Sequence, residues 1–125
     1  GAYVVSPAKN ETPEGILIAT GSEVNLAVQA QAKLAEEGID VGVVSMPSME
    51  LFEKQSDEYK NTVLPTGVKK RVAIEAGSSF GWRQYVKCKG KIISIDEFGA
   101  SAPGNLVLDS FGFNVENVVN TFKSF

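Results

Sequence analysis

Gly15-Ile16-Leu17-Ile18-Ala19-Thr20-Gly21-Ser22-Glu23 decides the fold. Its first part is apolar at consecutive positions rather than alternate ones. Such a segment needs cover on both faces, which is the pattern of an interior strand in a parallel sheet. The run turns at Gly21, and Ser22 is a residue type that caps the first free N–H groups of a helix. The sequence thus reads as a strand from Ile16 to Thr20 feeding a helix from about Glu23 to Glu37. On that helix Val24, Ala27, Val28, Leu34 and Ala35 form one apolar stripe, with Gln31 as its polar exception. Gly38 stands where a left-handed residue ends a helix, and Ile39 can fold back on Leu34.

Working outward, Tyr3 to Ser6 reads as a first strand, ended by Pro7 and followed by a polar connection, so that residues 1–14 form an edge strand and linker. Val41 to Met46 is the third strand, stopped by Pro47. Two short helical turns between Glu50 and Val63 are expected to bury Leu51, Phe52, Tyr59, Val63 and Leu64. Arg71 to Ala76 is the fourth strand, Gly77 to Gly81 a flexible turn, and Trp82 to Val86 a short helix. Lys91 to Ile95 is the fifth strand. A helix opening near Ser101 and Pro103 carries Leu106, Val107 and Phe111 inward and ends at Gly112. Asn114 caps a last helix on which Val115, Val118, Val119, Phe122 and Phe125 recur at helical spacing. Strands alternating with helices predict a single α/β domain of three layers over residues 1–125.

Composition narrows the chemistry. A net charge of −3 argues against nucleic acid as a partner, which would need a basic face. The one basic run, Lys69-Lys70-Arg71, reads as a solvated strand entrance. There is no histidine, so the commonest general base and zinc ligand are both missing. Cys88 is the only cysteine, which excludes an internal disulfide and fits a reducing, cytoplasmic setting. Lys87 and Lys89 flank it, but with no base beside it the thiol reads as tolerated rather than nucleophilic. No apolar run approaches the ~18 residues a membrane helix needs. The chain opens at Gly1 with no secretory signal and reaches Tyr3-Val4-Val5 at once, as a segment of a longer protein would.

Few residues invite a functional reading. The free N–H groups at Gly21-Ser22 suit a phosphate or carboxylate, yet no second glycine makes a G-x-G-x-x-G and no P-loop is present. Glu75, Asp96 and Glu97 lie at strand ends, where ligands of open α/β sheets gather. They suit acid–base work or Mg²⁺, or they accept backbone N–H bonds from the turns beginning at Gly77 and Gly99. Ser22, Ser78, Ser79 and Ser101 are nucleophiles only by residue type. Phe80, Trp82 and Tyr85 are either core or a docking surface for another domain. The residues alone describe a domain with no chemistry of its own.

Ile18-Ala19-Thr20-Gly21-Ser22-Glu23-Val24, Val43-Val44-Ser45-Met46-Pro47-Ser48, Phe52-Glu53-Lys54-Gln55, Val63-Leu64-Pro65, Arg71-Val72-Ala73-Ile74-Glu75, Phe80-Gly81-Trp82 and Phe98-Gly99-Ala100-Ser101-Ala102-Pro103 closely resemble the C-terminal domain of transketolase. Phe111-Gly112-Phe113 and Glu116-Asn117-Val118-Val119 continue the resemblance. It implies a mixed, mostly parallel sheet of five strands in the order 1-3-2-4-5, with strand 1 antiparallel. It also implies a crevice near Gly21-Ser22 and Glu75-Gly77. For the parent enzyme it implies transfer of a two-carbon ketol unit between ketose and aldose phosphates. Thiamine diphosphate and Mg²⁺ would be held by an N-terminal and a middle domain of a homodimer, with the sugar phosphates bound elsewhere than here. No member of the family's catalytic set maps onto this segment, so an isolated copy is expected to be inactive and to serve in packing and dimer support. An exposed apolar patch, with Trp82 a candidate member, would then mark where the other domains dock. Two alternatives stay open. One is the equivalent domain of another thiamine-diphosphate enzyme: dihydroxyacetone synthase, deoxyxylulose-phosphate synthase or a 2-oxoacid dehydrogenase β subunit. The other is a small anion- or nucleotide-binding regulatory module.

Overall fold

A computed structural model describes residues 2–10, 12–21, 23–75, 81–87, 89–94 and 113–125. The elements are β1 (Tyr3–Ser6), β2 (Gly15–Ala19), α1 (Glu23–Glu36), β3 (Val41–Ser45), α2 (Met49–Glu53), α3 (Asp57–Val63), β4 (Lys70–Glu75), α4 (Arg83–Val86), β5 (Lys91–Ser94) and α5 (Val115–Lys123). The expected helix between Ser101 and Gly112, the carboxylates Asp96 and Glu97, and Cys88 lie outside the described residues.

The strands form one sheet in the order β1-β3-β2-β4-β5. β1 runs antiparallel to β3, and the other three pairings are parallel. β2 and β3 are buried at every position, as unbroken apolar runs in a doubly covered sheet must be. Alternate residues feed two cores. Leu17, Val43, Val72, Ile74 and Ile93 face α1 and α5, where they meet Leu34, Val118 and Phe122. Ile16, Ile18, Val44 and Ala73 face the other way, onto Phe52, Val63, Trp82 and Tyr85 of the α2–α4 layer. The sheet is therefore sandwiched between two helical layers.

Helix α1 ends as its sequence predicts. Gly38 has φ +78°. The Ile39 N–H donates to the Leu34 carbonyl (2.9 Å) and the Gly38 N–H to the Ala35 carbonyl (3.0 Å), the two bonds of a Schellman ending. The buried stripe differs from the expected one. Glu23, Ala27, Ala30 and Leu34 are the fully buried positions, while Val24 and Val28 are half-buried. Small side chains let the helix lie close on the sheet, and α5 covers its flank. Gln31 stays half-exposed for a reason: its amide donates to the Val41 carbonyl (2.9 Å) and it accepts from the Ser6 hydroxyl (2.6 Å). It ties the first strand to the helix. Leu51 also departs from expectation, being 52 % exposed, because the five-residue α2 turns only Phe52 inward.

Candidate functional site

Strand order reverses between β2 and β4, which places a crevice at their carboxyl ends. The chain leaves β2 through Thr20 and Gly21, the latter exposed with φ +59°. The Glu23 N–H donates to the Thr20 carbonyl (3.3 Å), opening α1. Glu75 closes β4, half-buried and engaged rather than free. It stands in register with Ser94 of β5, which is fully buried. Gly21 and Glu75 thus flank the crevice, while Ser22 and Gly77 lie outside the described residues.

The aromatic cluster resolves differently. Phe80 lies outside the described residues. Trp82 is 2 % exposed and Tyr85 4 %, so neither offers a surface to another domain. α4 lies against β4 and β5 and turns both rings into the second core. The Tyr85 ring meets Phe52 edge-on at 5.7 Å and Trp82 at 6.3 Å. Among the described residues the exposed large apolar ones are instead Tyr3, Val4 and Val5 of β1, with Leu51 and Tyr59 on α2 and α3.

A second polar centre lies in the α2–α4 layer, at the amino end of β4. Arg71 is 4 % exposed. Its Nε donates to the Val68 carbonyl (2.9 Å), Nη1 to the Tyr85 carbonyl (2.5 Å), and Nη2 to the carbonyls of Pro65 (2.8 Å) and Leu64 (3.3 Å). Burial alone pulls the guanidinium below its ordinary pKa. The reading of Lys69-Lys70-Arg71 as a solvated entrance therefore fails at its third member. The missed signal was strand parity: Arg71 shares the face of Ala73, which packs on the helices, while Lys70 is exposed. Beside Arg71 lies a groove of about 370 Å³, lined by Phe52, Glu53, Asp57, Lys60 and Tyr85 among others. The Tyr85 hydroxyl donates to Glu53 Oε2 (3.0 Å), and Lys60 Nζ lies 3.6 Å from Glu53 Oε1. Burial, reinforced by the Glu53 carboxylate, pushes the Tyr85 phenol up to about 12. A phenol so placed stays neutral and serves as a hydrogen-bond donor, not a base.

Among the described residues no three His, Cys, Asp or Glu side chains converge as a metal set, and no phosphate loop follows β2. Nor is any helix of the described residues long and apolar enough to cross a membrane.

Fold and crevice define a doubly wound α/β domain with an antiparallel edge strand. Residues 1–114 match the family described as the transketolase-like C-terminal domain. Over 124 residues the chain is 65% identical to a transketolase of Bacillus subtilis and 58% identical to one of Geobacillus stearothermophilus, covering 99% of this chain and 19% of each relative. The solved transketolase from Leishmania mexicana superposes with a TM-score of 0.83 at 43% identity, over 99% of this chain and 18% of that one. The chain belongs to the transketolase C-terminal domain family. It spans about a fifth of the length of the curated relatives it matches.

Proposed function

We propose that this chain works as the C-terminal domain of a transketolase, an enzyme moving a two-carbon ketol unit from a ketose phosphate to an aldose phosphate. In this reading thiamine diphosphate and Mg²⁺ belong to N-terminal and middle domains of a cytoplasmic homodimer, which also bind the sugar phosphates. The domain supplies packing surface. The observation that carries the reading is similarity at 65% identity along 99% of the chain to a relative about five times longer. The chemistry agrees: a carbanion-stabilising cofactor needs proton-transfer partners around it, and this chain contains no histidine.

The test is a chimera. The C-terminal fifth of the Bacillus subtilis transketolase is replaced by this chain, and ketol transfer is assayed with thiamine diphosphate and Mg²⁺. The chimera is expected to turn over, and the isolated chain to show no activity. A folded, cofactor-loaded chimera without ketol transfer, or turnover by the pure isolated chain, overturns the proposal.

A further inference from the structure

We infer that β1 and the groove beside it form the surface on which the preceding domain of the parent polypeptide docks, through apolar side chains. Val4 stands in register with Val44, which belongs to the core under α2–α4, so Val4 looks onto that layer. There it lines a groove of about 170 Å³ with Pro7, Pro13, Val63 and Pro65, and among the described residues no charged side chain lines it. Tyr59 of α3 extends the surface. It is itself exposed, and its hydroxyl donates to the Ala2 carbonyl (2.6 Å), holding the start of β1 against the helix. Tyr3 lies on the opposite face, in register with Ser45, so β1 is open to both sides.

This surface lacks what a water-facing sheet edge needs. Such edges are ordinarily blunted by charged side chains, lysine above all. β1 reads Tyr3-Val4-Val5-Ser6, and no charged residue precedes Lys9. The strand pairs with β3 alone among the described strands. The matched family is that of a C-terminal domain, and the curated relatives are about five times as long as this chain. In such a parent the remaining chain arrives ahead of Tyr3, so the neighbouring domain is tethered beside the bare strand. A short tether gives that domain an effective concentration of roughly millimolar order, which a second free copy must outcompete. An uncharged groove suits an apolar face of the neighbour rather than a charged one. The identity of the occupant rests on the transketolase reading; the need for an apolar cover does not.

The experiment uses the chimera in which this chain replaces the C-terminal fifth of the Bacillus subtilis transketolase. Val4→Cys is introduced there and in the isolated chain, the latter kept dilute enough to sediment as a monomer. Maleimide labelling at that position is timed by peptide mass mapping. Glu36→Cys, at an exposed position on α1, is the control. Labelling of Val4→Cys is expected to be about tenfold or more slower in the chimera, because a covered thiol reacts only after local opening. Glu36→Cys should label alike in both. Equal labelling of Val4→Cys overturns the inference, and ketol transfer by the same sample then tells whether the transketolase reading falls with it. Protection in a chimera without ketol transfer supports the docking and counts against that activity. Protection that grows with the concentration of the isolated chain, and is no greater in the chimera, gives the face to a second copy and overturns the inference.

Discussion

Arg71 brings a full charge into the interior and spends it on four backbone carbonyls from three segments: the end of α3, the approach to β4, and α4. Arg71→Met is isosteric enough to pack but strands all four acceptors. It is expected to cost about 3–5 kcal/mol, the range for uncoupling a buried ionic group from its partners, read from urea unfolding midpoints; a near-neutral result would show that water replaces the guanidinium. Its neighbour Tyr85 gives the domain an alkaline limit. The folded-state pKa is raised from 10 to about 12, because burial and then Glu53 disfavour the phenolate. The stability this contributes is fully present below pH 10 and is lost as pH rises through about 12, amounting to roughly 2–3 kcal/mol. Tyr85→Phe should flatten that part of the stability–pH curve; an unchanged alkaline slope would mean another group titrates there. Neither residue's role was legible in the sequence. A cation at a strand start ordinarily faces water, and only the helices laid over that face by chain far from Arg71 turn it inward. Trp82 was legible as an aromatic anchor but not as to which surface it anchors.

At the scale of elements, the strands were readable because a doubly covered strand has to be apolar without interruption. The Schellman ending of α1 was readable because it is local chemistry within a few residues. The rotation of α1 about its axis was not, since Ala27 and Ala30 win the inner face through closeness of approach, and α5 shelters the larger Val24 and Val28. The same closeness constrains β2. A Cβ built on Gly15 would sit 2.2 Å from the Phe122 ring and 2.4 Å from the Lys70 carbonyl oxygen. Gly15→Ala should therefore cost about 2–3 kcal/mol through overpacking. Adding Phe122→Leu should recover only part of the loss, because the backbone clash with Lys70 remains; complete recovery in thermal melts would place the whole conflict in the ring. At α5 the Asn114 side chain accepts from the Asn117 N–H at 2.7 Å. Asn114→Ala should remove about 1 kcal/mol, as loss of an N-cap does, with faster amide exchange in the first turn of α5.

For the whole molecule, two cores on opposite faces of one sheet give the chain enough buried surface to hold its shape. Among the described residues its largest exposed apolar run is on β1, where Tyr3, Val4 and Val5 are 54 %, 42 % and 38 % exposed on a strand that pairs with β3 alone among the described strands. Such an edge invites another strand or surface. The isolated chain should self-associate as its concentration rises, and Val4→Lys should keep it monomeric in sedimentation velocity runs; a wild-type chain that stays monomeric throughout would show the edge to be harmless by itself. The resemblance to a domain that ordinarily has neighbours was legible from the order of short motifs along the chain, whereas the location of its uncovered apolar surface was not. The pairing of β1 carries one more consequence. Tyr3 leaves the ribosome before its partner Ser45, which lies beyond β2, α1 and most of β3. The growing chain must therefore keep three adjoining greasy residues waiting until that later strand emerges, a delay that non-local strand pairing imposes on folding.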